Sequence, residues 1–358
     1  MRVMDFTGRS TVTTEIEFSL PAELLNTAFA FTWSEARATL EVDPSWFDEV
    51  RTAASPELLA LLERDVFLAG KVWGSLVSLA LRPPAAQDVE ALIQRVEDLP
   101  ALELRLLILG YRAPSMRASH GPLIERAARG DVQAMERLLA DESYSTGRMA
   151  DALRRMVSIT PEEEKSSILE ALRRWGLEVF AARADEARAV LARDVEAKRR
   201  LARTMPMEDL IELATNGLEY APQPGVRRVL LVPYIALRPW NILDDDGDTY
   251  IINYPVADES LEPDRSAPPA RLIRLYRALD DEKRLRILRR LASSSASLQE
   301  LAEVAGVAKS TAHHHLVILR SAGLVRTSLE PKGRYSIRRE AVGQSTGWLE
   351  AFLEGRDG

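Results

Sequence analysis

The sequence of 358 residues contains no cysteine, and this absence excludes several classes of site. Disulfide frameworks, thiolate metal sites, iron–sulfur clusters and cysteine nucleophiles all require a thiol. Histidine is also scarce, since the chain has four, which leaves little material for a histidine-based metal or catalytic centre. We therefore expect neither a cofactor nor a resident metal ion.

Long apolar runs are missing as well. No stretch approaches the roughly 18 consecutive apolar residues of a transmembrane helix. The best run, around Val229–Leu237, is broken by Pro233. The N-terminus lacks the apolar segment of a signal peptide. These absences predict a cytoplasmic protein with no membrane partner.

The length predicts two or three domains, because single cores rarely exceed about 250–300 residues. Three prolines between Glu262 and Pro269 disfavour a helix and predict a linker over 261–269. This linker separates a predicted body, residues 1–260, from a smaller C-terminal part.

Charge changes sign across this linker. Residues 268–340 contain 15 Lys and Arg against 7 Asp and Glu, a net charge of +8, whereas the whole chain carries −7 and the remainder therefore −15. A basic module beside an acidic body is typical of a small nucleic-acid-binding domain. The alternative is a chance excess of basic residues on a solvated helix.

The body is predicted to be mostly helical. Alternating apolar residues favour a strand over Thr11–Leu20, and helical spacing of apolar residues favours a helix from Pro56 to Pro83. Shorter helices are predicted over Asp131–Leu139 and Ser143–Ser158.

The clearest helix start lies at Thr160. Thr160 can cap the helix, Pro161 suits its first position, and Glu163 completes a capping box. The helix is predicted to continue to about Thr204. Its apolar stripe packs either on its own domain or against a partner helix.

Two strand-like runs, Val226–Leu237 and Thr249–Val256, flank Asp246-Gly247, which predicts a hairpin turn. The acidic cluster at 244–248 lacks the closing glutamate of a calcium loop, because position 255 is proline. We interpret the cluster as a solvated turn. The predicted fold class is mainly α with minor β: a helical N-terminal body with a small β-hairpin, plus a C-terminal helix-turn-helix module.

This module is predicted over 270–340 as a winged helix-turn-helix domain, and residues 341–358 form a C-terminal helix or tail. Ser297 and Glu300 form a capping box, and Gly306 tolerates the positive φ of a tight turn. Two short strands joined by a Pro/Gly turn form the wing. The predicted elements are helices Arg271–Leu279, 281–292 (with Leu285, Leu288 and Leu291 inward), 297–304 and 308–322, and a wing over 325–337.

Projection of the last of these helices separates two faces. Ala312, Leu316 and Leu319 point inward, whereas His314 lies on the opposite side. Recognition helices present such polar side chains to base edges in the major groove. The predicted outward residues are Ser310, Thr311, His314 and Val317, with His313 and His315 on the flanks.

Basic residues on the helix and wing suit contacts to phosphates or to the minor groove. The three adjacent histidines do not predict a metal site, because consecutive helical positions point about 100° apart. The predicted DNA-contacting residues are Lys309, Ser310, Thr311, His313, His314, Arg320, Arg326, Lys332 and Arg334.

Four motifs within 281–337 extend this interpretation. They are Arg284-Leu285-Arg286-Ile287-Leu288, Leu298-x-x-Leu301-Ala302, Lys309-Ser310-Thr311-Ala312-His313-His314-His315-Leu316 and Ala322-Gly323-Leu324-Val325. On these motifs the segment resembles the winged helix-turn-helix of bacterial ArsR-type transcriptional regulators. The resemblance implies a homodimer that binds operator DNA, with dimer contacts from the first helix and a C-terminal helix carrying Trp348, Leu349, Phe352 and Leu353.

The chain departs from the metal sensors of that family. It has no cysteine in the third helix and no histidine after His315, so thiolate metal sensing is not expected. The body resembles N-terminal extensions of some such regulators. We expect it to sense a signal such as a small-molecule effector, to dimerise or to contact partners.

Two other functions remain alternatives. The body could be an enzyme or a small-molecule-binding protein that the winged helix only localises, or the winged helix could mediate protein contacts without binding DNA. The chain shows no phosphate loop, dinucleotide fingerprint or nucleophile elbow. Five tryptophans either line a ligand pocket or pack in the core: Trp33, Trp46, Trp73, Trp175 and Trp240. We therefore expect a regulator and not an enzyme.

Overall fold

A computed structural model of the protein describes residues 12–33, 37–64, 70–83, 85–141, 144, 147–221, 225–261, 268, 270–328 and 333–354. These residues confirm a mainly helical fold with minor β structure. They form two compact units. The first comprises described residues up to Leu191, 225–238 and 242–253, and the second comprises those of 192–224, 239–241 and the chain from Tyr254 onward.

The second unit is larger than the module that the linker delimits, because two earlier segments, 192–224 and 239–241, join it. Most of the predicted linker, 262–267 and 269, lies outside the described residues. No helix in the described ranges is long and apolar enough to cross a membrane.

The first unit is built from helices around one sheet. The predicted helix from Pro56 to Pro83 is described as two helices, with 65–69 outside the described residues. The helices of the first unit are α1 (Leu20–Thr32), α2 (Pro44–Ala53), α3 (Pro56–Arg64), α4 (Gly70–Leu81), α5 (Val89–Asp98), α6 (Ala101–Ile108), α7 (Pro114–Ala128), α8 (Val132–Leu139), α9 (Gly147–Ser158), α10 (Pro161–Trp175) and the start of α11 (Ala184–Leu201).

Local start signals explain several of these helices. Asp131 caps α8, and Thr160 forms the predicted capping box with Glu163 at the start of α10. The predicted helix to Thr204 is wrong as one regular helix, because a π-helical turn at Gly176–Phe180 and a 3-10 turn interrupt it. The helix predicted over Ser143–Ser158 is described over Gly147–Ser158, with 143, 145 and 146 outside the described residues.

The core of this unit is anchored by buried polar groups as well as apolar ones. The Glu23 carboxylate accepts hydrogen bonds from the backbone N–H groups of Ile235 and Ala236, each at 3.0 Å. The indole N–H of Trp175, which is fully buried, donates to the Thr27 hydroxyl at 3.0 Å. These bonds satisfy polar groups that would be costly to bury alone.

The sheet of the first unit consists of β1 (Thr13–Ile16), β3 (Arg228–Tyr234), β4 (Ile242–Asp246) and β5 (Thr249–Pro255), in the order β1-β3-β5-β4. The predicted hairpin is confirmed, but its first strand is β4 and not the apolar run Val226–Leu237, which contains β3 on the other side of β5 and pairs in parallel with β1. The predicted strand over Thr11–Leu20 shortens to four residues, since Ser19 caps α1.

The acidic cluster is not the solvated turn that we expected. Asp244, Asp245 and Asp246 lie in β4, which pairs antiparallel with β5, and the predicted turn is confirmed at Gly247 with φ +69°. The Asp246 carboxylate binds the guanidinium groups of Arg82 and Arg112 at 2.6 and 2.7 Å, respectively. The positive charges of Arg82 and Arg112 thus offset part of the negative charge of β4.

The second unit holds the winged helix-turn-helix. Its described elements are α12 (Met207–Ala214), β2 (Leu218–Glu219), α13 (Ala270–Leu279), α14 (Glu282–Ser293), β6 (Ala296–Ser297), α15 (Leu298–Ala305), α16 (Lys309–Ser321), β7 (Val325–Ser328), β8 (Arg334–Ile337) and α17 (Arg339–Leu353). The strand order is β2-β7-β8-β6, with β7, β8 and β6 antiparallel and β2 parallel to β7.

The core of the winged helix is close to the predicted one, with one correction. Leu288 and Leu291 are buried as predicted, but Leu285 is 49% exposed and Ile287 takes its place. The buried Arg284 explains this rotation, because its guanidinium donates to the carbonyls of Ala278 and Arg277 at the end of α13, both at 2.8 Å.

Asp244 provides a test of this packing. Burial, followed by the charges of Asp245 and Asp246, raises the pKa of Asp244 to about 7. A carboxyl with a higher pKa in the folded chain binds more protons there, so the free energy of unfolding falls as pH rises from about 4 to about 7. We expect Asp244→Asn to be about 1–3 kcal/mol more stable than the native protein at neutral pH, and equally stable near pH 4.

Urea denaturation across this pH range measures the effect. Asp248→Asn is the matched control, because it removes an exposed acidic side chain from the same hairpin. Equal pH dependence of Asp244→Asn and Asp248→Asn would contradict the assignment.

Candidate nucleic-acid interface

The helix-turn-helix consists of α15, a tight turn and α16. Ser297 and Glu300 form the predicted capping box at the start of α15. Gly306 ends the helix in the left-handed region at φ +66°, which confirms the predicted turn. Ala308 occupies the cap position of α16 without a side-chain hydrogen bond, so the first amides of α16 receive no side-chain cap from that residue.

The faces of α16 agree with the predicted projection except at one position. Ala312, Leu316 and Leu319 are buried. Val317, predicted to face outward, is 4% exposed, because α16 is contacted by α13, α14, α15 and β7 and buries more than one stripe. The exposed residues at the start of α16 are Lys309, Ser310, Thr311, His313 and His314.

Two histidines of α16 are held in environments that favour the neutral imidazole. Although His313 is exposed, partial desolvation by its neighbours, followed by the charges of Arg320 and His314, lowers the pKa of its imidazole. Burial also lowers the pKa of His315, which is 9% exposed, against the opposing charge of Asp281. A neutral imidazole offers one donor and one acceptor, which suits contacts to base edges. Among the described residues, no group of three or more histidine and acidic side chains could hold a metal ion.

The wing residues have different surroundings. Arg334 is exposed on β8, and its guanidinium donates to the hydroxyl and carbonyl oxygens of Ser295 at 3.0 and 2.6 Å. Arg320 is half-buried near the end of α16. Lys332 lies outside the described residues.

Arg326 is bound more closely by a carboxylate than Arg334, whose Nη2 lies 3.9 Å from the Glu300 carboxylate. The Arg326 Nε lies 2.6 Å from the Glu212 carboxylate, and both side chains are partly buried, with exposures of 31% and 23%. Arg338 also approaches this carboxylate, at 3.7 Å. The positive charge of Arg326 is thus largely offset within the protein.

The wing has an additional strand that the sequence did not predict. Residues 207–219 and 239–241, here called the outer segment, belong to the second unit. Within it, β2 pairs parallel with β7, placing Leu218 opposite Thr327, and the Thr327 N–H donates to the Gly217 carbonyl at 2.8 Å. The wing sheet therefore has four strands.

Close backbone contact makes glycine necessary at position 217. Its φ is +107°, and a Cβ there would lie 2.9 Å from the Val325 carbonyl oxygen. Asn216 also has a positive φ, of 56°. The pair Asn216-Gly217 lies just after α12, which ends at Ala214, and leads the chain into β2 beside β7.

The outer segment also reaches the recognition helix. The indole of Trp240 lies against the His313 imidazole, with ring centroids 5.9 Å apart and planes tilted by 32°. From the sequence, Trp240 was expected to pack in the core or to line a pocket. No local signal links it to α16.

Comparisons with known proteins agree with this geometry. Residues 279–328 match a family described as a helix-turn-helix domain. The chain is 38% identical over 82 residues to YceK, an uncharacterized HTH-type transcriptional regulator of Bacillus subtilis (strain 168). The matched part is 22% of this chain and 80% of that protein. No solved structure matches the chain significantly.

The contact at Gly217 predicts a large effect of one methyl group. We expect Gly217→Ala to lower the free energy of unfolding by about 2–4 kcal/mol, because the strained φ and the clash with Val325 add together. Gly306→Ala is the control, since Gly306 also has a positive φ but its nearest neighbour is the flexible end of Lys283 at 4.0 Å. Urea denaturation measures the free energy of unfolding of both variants. An equal decrease in the two would show that β2 does not depend on this close approach.

Proposed function

The chain belongs to the HTH-type transcriptional regulators, and from this premise we propose that it is an ArsR-type regulator that binds double-stranded operator DNA. The observation that carries the proposal is the exposed start of α16. Lys309, Ser310, Thr311 and His314 share that end, while Ala312 and Leu316 anchor the helix in the core. This arrangement suits insertion of the helix into the major groove.

The contacts divide into two kinds. Ser310, Thr311, His313 and His314 would read base edges through hydroxyl and imidazole groups. Phosphate contacts would come from the cationic set Lys309, Arg320, Lys332 and Arg334. Arg326 contributes less in this proposal, because Glu212 already binds its guanidinium.

The proposed domain organisation assigns DNA binding to residues 270–340 and sensing to the helical body before residue 261, apart from the outer segment that joins the wing. The body would receive a small-molecule effector or contact partners in the cytoplasm. With no cysteine in the chain, the signal is not read by thiolate metal ligation. The proposal assigns no catalytic step to the chain.

Exposed apolar residues on two helices support a homodimer. Ile273 and Tyr276 of α13 are each 47% exposed, and Phe352 and Leu353 of α17 are 37% and 72% exposed. The two helices pack together, with the Arg271 guanidinium 5.3 Å from the Trp348 ring centroid. We propose that a second copy of the chain covers this apolar face, which would place two recognition helices on a palindromic operator.

DNA binding can be tested by selection from a pool of random duplexes, followed by mobility shifts at several salt concentrations. We expect His314→Ala to reduce discrimination at one base position by about 1–3 kcal/mol. Lys309→Gln should weaken binding to all sequences and lower the salt slope by about 1. Arg334→Ala should behave like Lys309→Gln.

Arg326→Gln is the matched control, because Glu212 already binds this cation, and its salt slope should change less than that of Lys309→Gln. Unchanged binding in all three test variants would overturn the docking of α16. Absence of any enriched sequence with the native protein would favour a winged helix that mediates protein contacts.

The dimer is tested by analytical ultracentrifugation. We expect Ile273→Glu combined with Leu353→Glu to convert a dimer into a monomer, because two charges would be buried at the interface. Leu177→Glu is the control, since Leu177 is 80% exposed in the first unit and should leave the mass unchanged. A native monomer, or a dimer that persists in the double variant, would contradict this interface.

A further inference from the structure

We propose that Trp240 is a specificity-determining positioning residue, which holds the His313 side chain in place on the DNA-reading surface. This inference rests on the proposed function of α16. Trp240 lies well before residues 279–328, which match the helix-turn-helix family. The DNA-reading surface would thus include a side chain from outside that domain.

The first step is the contact itself. Trp240 is half-buried and His313 is exposed, and their tilted rings lie within the range of attractive aromatic packing at 5.9 Å. An exposed histidine on a helix ordinarily samples several rotamers. The indole beside it favours one of them, so that less side-chain entropy is lost when the imidazole contacts a base.

The second step is the anchor of Trp240. The side-chain amide of the next residue, Asn241, donates to the Thr215 carbonyl at 2.8 Å. Thr215 is 1% exposed and joins two elements, because its hydroxyl donates to the Ile211 carbonyl at 2.6 Å and accepts from the Leu218 N–H at 3.0 Å. Trp240 is therefore tied to the junction of α12 and β2.

The third step leads from this junction to the wing. β2 pairs with β7 at Thr327, and the Glu212 carboxylate of α12 binds Arg326 on the same strand. The outer segment thus contacts the wing at one end and His313 at the other. Ile211 and Leu218 of the outer segment are buried, which indicates that this segment is a permanent part of the second unit.

An inhibitory role for Trp240 would have a different effect on DNA affinity. If Trp240 covered His313 and so inhibited DNA binding, removal of the indole would strengthen binding to all sequences. If Trp240 positions His313, removal should leave non-specific affinity unchanged and weaken base discrimination. The two cases are separable with the full-length protein.

The experiment compares four variants of the full chain: Trp240→Leu, Trp240→Phe, His313→Ala and the double variant Trp240→Leu/His313→Ala. Leucine keeps an apolar side chain without a ring, and phenylalanine keeps a ring. Circular dichroism checks that each variant folds. Selection from random duplexes then measures base preference, and a mobility shift on a duplex that contains no selected sequence measures non-specific affinity.

We expect Trp240→Leu to reduce discrimination about fivefold or more at the base position that His313→Ala also affects. Trp240→Phe should restore most of it. The double variant should be no worse than His313→Ala, because both changes act through one side chain. Non-specific affinity should stay within about twofold throughout.

A second readout does not depend on DNA. In the free protein, the ring proton resonances of His313 should shift in Trp240→Leu, because the ring current of the indole is lost, and should move back towards the native positions in Trp240→Phe. His314 provides the internal control, since its resonances should change less.

The outcomes distinguish the inference from the function on which it rests. If the native protein enriches no sequence, the proposed function fails and the inference fails with it. If the native protein enriches a sequence and Trp240→Leu enriches the same one with equal base frequencies, the inference alone is wrong. Stronger binding of Trp240→Leu to all sequences would show inhibition instead.

Discussion

The second unit depends on the close approach of two backbones at Gly217. A side chain at this position would collide with the Val325 carbonyl, so only glycine lets β2 run beside β7. This pairing covers the outer edge of a short wing strand, which would otherwise leave backbone groups unpaired. It also sets the position of α12 and of Thr215, and through them of Glu212 and Trp240. One missing Cβ therefore governs the surroundings of both Arg326 and His313.

The winged helix itself was predictable because its signals are local. The Ser297 capping box, the turn at Gly306 and the inward spacing of Ala312 and Leu316 each depend on residues within a few positions. The same is true of Thr160 in the body. Such signals report backbone preferences that tertiary contacts reinforce. They predict the elements and the exposed end of α16.

The contacts that modify the candidate site could not be predicted, because they join distant residues. Glu212 and Arg326 are 114 positions apart, and β2 has two residues, too few for any periodicity. The acidic strand β4 was misjudged for a similar reason, since Arg82 and Arg112 lie far away in sequence. Sequence patterning assigns an acidic run to solvent unless the balancing cations are known.

The pairing of Arg326 changes the expected balance between affinity and specificity. Phosphate contacts supply affinity for any duplex, whereas base contacts discriminate between sequences. In the proposed interface, Glu212 would withhold the Arg326 guanidinium from phosphates, and Trp240 would hold one orientation of the His313 imidazole. Both effects shift the proposed interface in the same direction, towards fewer non-specific contacts and better ordered specific ones. Because both arise from one segment fixed by Gly217, a regulator without that segment would bind DNA through the same α16 with a different ratio of specific to non-specific affinity.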